Sequence, residues 1–115
     1  MPGAGDRLAP DLTAVARAAA AAGGHSLAPF RRVDDRTLHA RVFLPGSGIA
    51  EDPGTGSAAG AIGLLAGRLW GTDRDVTIRQ GDEMGRACRI SVHAELGSVR
   101  VGGRVTLVAE GDFLL

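Results

Sequence analysis

The stretch EDPGTGSAAGAIGLLAGRLW, residues 51–70, joins a polar, glycine-rich entrance to a long run suited only to burial. Residues 57–67 carry no charged side chain, and Ile62, Leu64, Leu65 and Leu69 are spread around the helical circumference instead of forming a stripe. The expectation is one helix enclosed on every side, because a helix apolar all round has no face to give to water. Gly56, Gly60, Gly63 and Gly67 recur at helical spacing, with Ala58, Ala59, Ala61 and Ala66 between them. A glycine in a helix interior costs about 1 kcal/mol relative to alanine. Their repeated use implies close packing or a bound group.

The entrance carries the chemistry. The first N–H groups of a helix lack intrahelical partners and sit at the positive end of its dipole. Gly54, Thr55, Gly56 and Ser57 place such donors where two absent side chains let a ligand approach, a geometry suited to a carboxylate or phosphate. Asp52 lies just upstream, and Thr55 and Ser57 add hydroxyls. A carboxylate beside an anion site, where partly desolvated, can serve as a general acid or base. Two readings of Asp52 stand side by side: a helix cap, with the glycines there for packing, or a member of a ligand site. The run from Gly54 to Gly60 also fits a loose dinucleotide-loop spacing, but a loop precedes it and plain strands follow. A phosphate loop would need a Lys after its glycine, and none is present.

Upstream, Pro10 and Asp11 open a helical pattern, with Leu12, Val15, Ala16 and Ala19 on one face and Gly23-Gly24 as the stop. Residues 25–33 read as extended and Asp34-Asp35 as a turn. Leu38, Ala40, Val42 and Leu44 then alternate with His39, Arg41 and Phe43. A hairpin feeding the central helix is expected, with His39 on its outer, solvated face and His25 in a turn. Downstream, Val76 and Ile78 mark a strand ending at Gln80-Gly81, and residues 82–87 form a loop. Cys88, Ile90, Val92 and Ala94 alternate with Arg89, Ser91, His93 and Glu95 in a half-buried strand. Cys88 is expected inside, as a small core residue, and His93 outside. Residues 99–101 and 104–109 are expected to pair through a two-residue turn at Gly102-Gly103. The sum is α+β: an antiparallel, curved sheet wrapped around one buried central helix, with Trp70 plugging its lower end.

Composition sets the bounds. The chain has 115 residues, enough for a single domain spanning 1–115; residues 1–7 are expected to be disordered. Apolar residues reach 44%, but aromatics only 3%, which leaves little surface for stacking nucleic-acid bases. Thirteen basic side chains balance thirteen acidic ones without long blocks of either sign, so no footprint for nucleic acid or an acidic membrane is present. Cys88 is the sole cysteine, which excludes an internal disulfide and a thiolate metal cage. No histidine spacing suggests a metal site. The amino terminus has no secretory pattern, and no apolar run reaches the roughly 20 residues that span a bilayer. A cytoplasmic location is expected.

Four segments carry a family resemblance: Arg41-Val42-Phe43-Leu44-Pro45; Glu51-Asp52-Pro53-Gly54-Thr55-Gly56-Ser57-Ala58-Ala59-Gly60; Gln80-Gly81-Asp82-Glu83-Met84-Gly85-Arg86; and Val101-Gly102-Gly103 with Glu110-Gly111. In order and spacing this sequence resembles, from about residue 8 to its end, the carboxy-terminal domain of the phenazine-biosynthesis PhzF-like family, relatives of diaminopimelate epimerase. The resemblance implies a cofactor-free enzyme of two similar half-barrel domains, each a curved sheet around a central helix, with both helix entrances facing one cleft. Such enzymes isomerise or epimerise small acids by moving protons. By match, Asp52 and Ser57 would line that cleft, the amides of Gly56 and Ser57 would hold a substrate carboxylate, and Asp52 would position or relay the proton.

The family's catalytic glutamate and a histidine come from an amino-terminal domain that this sequence does not include, and the thiol pair of the epimerases is missing from the helix entrance. What is expected is therefore half a cleft. It would be completed by homodimerisation or by a separately encoded amino-terminal partner, and would act without cofactor or metal on a small carboxylic-acid metabolite. The alternatives are a non-catalytic small-acid binding module and a truncated remnant of such an enzyme.

Overall fold

Asp11 starts the first helix as its side chain implies. The carboxylate accepts from the N–H groups of Thr13 and Ala14 at 3.0 and 3.2 Å, and α1 runs Leu12–Ala21 with Val15 and Ala19 buried. The computed structural model describes residues 9–115, so the disorder expected at 1–7 lies outside the described residues.

After α1 come strands β1 (Phe30–Asp34) and β2 (Thr37–Ala40), two short strands β3 (Val42–Phe43) and β4 (Glu51–Asp52), helix α2 (Gly56–Trp70), and strands β5 (Asp75–Gln80), β6 (Cys88–Glu95) and β7 (Ser98–Gly102). The main sheet has the order β1-β2-β5-β6-β7, and β3 pairs with β4 in a small second sheet. Every pair is antiparallel except β2 with β5, which the crossover through α2 makes parallel. Among the described residues the fold is thus mixed α+β, with two α-helices and a mostly antiparallel sheet.

Period-two patterning on β5 and β6 drives the core. Val76, Ile78, Ile90 and Val92 gather with Leu38 and Ala40 of β2 against Ala59, Ile62 and Ala66 of α2. The helical glycines divide into two kinds. A Cβ on Gly63 would lie 2.7 Å from Val92 Cγ1, and one on Gly60 would lie 2.9 Å from Val99 Cγ1, so these two let the helix settle onto β6 and β7. Gly56 and Gly67 face open space.

Four sequence expectations change. First, α2 is covered on one side only: Leu65 and Leu69 are 45% and 60% exposed, because the sheet supplies one apolar face and not a closed surround. Trp70 is no plug; it stands partly exposed and meets Phe30 edge-on at 5.6 Å. Second, residues 38–44 do not alternate. The strand breaks at Arg41, and Leu38, His39, Ala40, Arg41, Val42 and Phe43 are all buried. Third, Gly102-Gly103 is not a hairpin turn. Gly102 is the last paired residue of β7, opposite Ser91, and the turn falls at Gly97, whose φ of 84° suits glycine. Residues 103–115 form no strand and are exposed. Fourth, His39 is not solvated: it is 4% exposed, with Nε2 2.6 Å from Glu83 Oε1.

Candidate functional site

The approach to α2 is held from both ends. Arg41 grips Glu51 with two parallel bonds, Nε to Oε1 at 2.8 Å and Nη2 to Oε2 at 3.0 Å, while its guanidinium lies 4.9 Å over the Phe43 ring. Paired, two-pronged Arg–carboxylate contacts fix geometry as well as energy. Because β3 and β4 pair Val42 with Asp52 and Phe43 with Glu51, this clamp sets the residue next to it in space.

Asp52 is the result of that placement. Its Oδ2 accepts from the Thr55 hydroxyl at 2.7 Å and its Oδ1 from the Gly54 N–H at 3.3 Å. It is therefore not the cap of α2. The cap position belongs to Thr55, whose side chain makes no bond to the first-turn amides. Gly56 and Ser57 at that first turn are exposed, with no acidic side chain among the turn's residues. Helix N-terminal amides in this condition attract anions.

Gln80, only 1% exposed, ties the assembly to the sheet. Its Oε1 accepts from the Thr55 N–H at 3.1 Å, and its Nε2 donates to the Asp52 carbonyl at 2.7 Å and to Thr55 Oγ1 at 2.9 Å. Next to it Gly81, at φ 83°, is hemmed in: a Cβ there would run into the Arg86 carbonyl and lie 2.7 Å from that of Pro53. Gly54 lies equally close to Cys88, whose Sγ would be 2.7 Å from an added Cβ. Of the two glycines expected to admit a ligand, Gly56 leaves room and Gly54 makes way for Cys88.

Two open depressions that share Gly54, Ala87 and Cys88 adjoin this entrance. One, of about 660 Å³, is lined by Asp52 and Arg86; the other, of about 510 Å³, by Gly56, Arg89 and Arg104. All five residues expected at the site, Asp52, Gly54, Thr55, Gly56 and Ser57, thus fall on one segment around α2's first turn. Sequence reasoning missed Gln80, Arg41 and Glu51 as the parts that hold it. Period two from Val76 and Ile78 does place Gln80 on the buried side, a signal for a polar group in need of partners.

On the face of the sheet away from α2, Arg31, His39, Arg79 and Arg89 stand in register across four strands. The short 3-10 turn Asp82–Met84 folds acids over them. Glu83 meets His39, while Asp82 accepts from Arg79 at 2.7 Å and from Arg89 at 3.1 Å. Partial burial opposes the charge on Asp82, but the bonds from Arg89 and Arg79 outweigh it and hold the carboxyl below the usual carboxylate range. At the other end of β5, His93 Nδ1 lies 2.7 Å from Asp75 Oδ1, and that bond holds the imidazole above its ordinary value. Among the described residues no group of His, Cys, Asp and Glu is gathered as a metal ion would need. No helix there is long and apolar enough to cross a membrane.

Comparison with known proteins bears on the family and the fold. The chain is 39% identical over 83 residues to the trans-2,3-dihydro-3-hydroxyanthranilate isomerase of Pseudomonas aeruginosa, covering 66% of this chain and 30% of that protein. An uncharacterized isomerase of Mesorhizobium japonicum is 36% identical over 92 residues, 70% of this chain and 30% of the relative. One from Deinococcus radiodurans is 38% identical over 114 residues, 90% of this chain and 37% of the relative. The chain therefore spans about a third of the length of these relatives. Its fold matches the crystal structure of a PhzF-family phenazine biosynthesis protein of Bacillus anthracis, with a TM-score of 0.63 at 21% identity, over 84% of this chain and 36% of that one. The profile of the family described as phenazine biosynthesis-like protein matches residues 4–111, and the chain belongs to that PhzF-like family.

Proposed function

We propose that this chain is an isomerase- or epimerase-type domain that supplies one half of a cleft in which a proton is moved on a small carboxylic acid, without a cofactor. The observation that carries the reading is an uncapped helix entrance beside a carboxylate held in place by Thr55 and Gly54. The amides of Gly56 and Ser57 bind the substrate carboxylate, Gly54 and Thr55 shape the approach, Ser57 adds its hydroxyl, and Asp52 positions or relays the proton. The isomerase names of the relatives support the reaction class.

The other half of the site comes from a second copy of the chain or from a separately encoded amino-terminal partner, in the cytoplasm. Each half is a diaminopimelate epimerase-like half-barrel, a curved sheet around its own central helix, and the partner would cover Leu65 and Leu69. A non-catalytic small-acid binding module is the second reading, favoured by an Asp52 carboxylate already engaged by Thr55 and Gly54.

The test incubates the chain in D2O with trans-2,3-dihydro-3-hydroxyanthranilate, the compound named for the Pseudomonas relative, and follows deuterium uptake by mass spectrometry. Uptake that Asp52→Asn abolishes supports the isomerase. Binding without uptake, seen as amide shifts at Gly56 and Ser57, supports the binding module. Neither uptake nor shifts, with this compound and with benzoate, removes both.

A further inference from the structure

The orientation of the Gln80 side chain is fixed by two backbone partners of opposite kind. Oε1 faces an N–H, that of Thr55, and Nε2 faces a carbonyl, that of Asp52. Nε2 must therefore be the donor in its 2.9 Å contact with Thr55 Oγ1, so the Thr55 proton goes elsewhere, and the Asp52 carboxylate waits at 2.7 Å. The hydroxyl is drawn back toward Asp52 and Gln80, although a threonine at a helix cap position ordinarily accepts from the second or third amide of the helix. Here it does not.

From this we infer that Gln80 is a positioning residue: by occupying the Thr55 hydroxyl, it keeps the first turn of α2 uncapped and free for an anion, and aims a hydrogen bond at Asp52. Loss of the Gln80 amide releases Thr55 to rotate onto the Ser57 and Ala58 amides. The helix then caps itself, and the anion loses its donors. The anion-binding part of this inference rests on the function proposed above; the capping part does not.

The experiment uses the 15N-labelled full chain as wild type, Gln80→Met, Thr55→Val and the double variant. Without ligand, Gln80→Met is expected to move the Ser57 and Ala58 amide protons downfield and slow their exchange about fivefold, the effect of a typical cap. The double variant, with no hydroxyl to form the cap, returns both to wild-type values. With benzoate as probe, Gln80→Met weakens binding several-fold; the double variant is read by its ligand-free amides alone, because Thr55 itself shapes the approach. A merely structural Gln80 would leave the Ser57 and Ala58 amides of the double variant as displaced as those of the single one, and that result overturns the inference. Should Gln80→Met fail to fold, the wild type decides: a Ser57 amide slow to exchange in the ligand-free chain overturns it, and fast exchange beside slowed Gln80 side-chain protons upholds it. A wild type that ignores benzoate while the ligand-free capping signature still follows Gln80→Met defeats the proposed carboxylate site and leaves the capping role of Gln80 standing.

Discussion

Gly63 and Gly67 look alike in the sequence, one turn apart in the same helix, but they have opposite surroundings. A methyl group on Gly63 would press on Val92, whereas one on Gly67 meets nothing within 4 Å. Gly67→Ala is expected to stabilise the chain by up to about 1 kcal/mol, the propensity difference. Gly63→Ala gains the same term but incurs an overpacking cost of about 1–3 kcal/mol, so it should be neutral to destabilising. Urea denaturation of both variants checks the signs. His93 gives a pH prediction. Its raised value means that the stabilisation from Asp75 is complete below the unfolded value of 6.5 and is lost as pH rises through the higher folded one. The gap in melting temperature between wild type and Asp75→Asn should accordingly be wider at acid than at alkaline pH, and histidine NMR titration should show His93 falling in the variant. At this scale the sequence discloses the candidate site residues but not their support. Asp52 and Ser57 are visible from motif and position, while Gln80, Arg41 and Glu51 work through pairings that exist only once distant strands meet.

Elements were legible where one rule acted alone. Helix α1 with its Asp11 cap, and strands β5 and β6 with their clean alternation, follow from local pattern. The run from residue 38 to 44 misleads because both faces of its first half are covered, Leu38 and Ala40 by α2 and His39 by the turn that carries Glu83, and because Arg41 beyond them is buried against Glu51. The pattern at 98–109 misleads because two glycine turns compete, and the Leu96-Gly97 turn lets β7 pair at once with β6. A consequence is that residues 104–115 add little to the fold of the isolated chain. Truncation after Gly103 should leave the melting temperature within about 2 °C, since surface changes away from packed features stay within about 0.5 kcal/mol. A large fall would mean that the segment packs in solution.

For the whole molecule, exposed apolar groups are the unusual feature. Leu65 and Leu69 on α2, and Val105, Leu107, Val108, Phe113, Leu114 and Leu115 beyond β7, are exposed to solvent. A surface this apolar is expected to be covered by a partner. If the partner is a second copy, sedimentation should give the mass of two chains, and Leu65→Glu with Leu69→Glu should shift it to one without unfolding. A single-chain mass for the wild type rules out self-pairing.

The parallel contact between β2 and β5 joins segments on either side of the helical crossover, whereas β5, β6 and β7 follow one another directly. Early contacts favour short loops. The meander and the helix lying on it are thus expected to organise first, with the amino-terminal hairpin docking late. Conservative truncations at Ile90 should slow refolding, and those at Phe30 should mainly hasten unfolding. On the ribosome, the hairpin would emerge early and wait for the strand it must join.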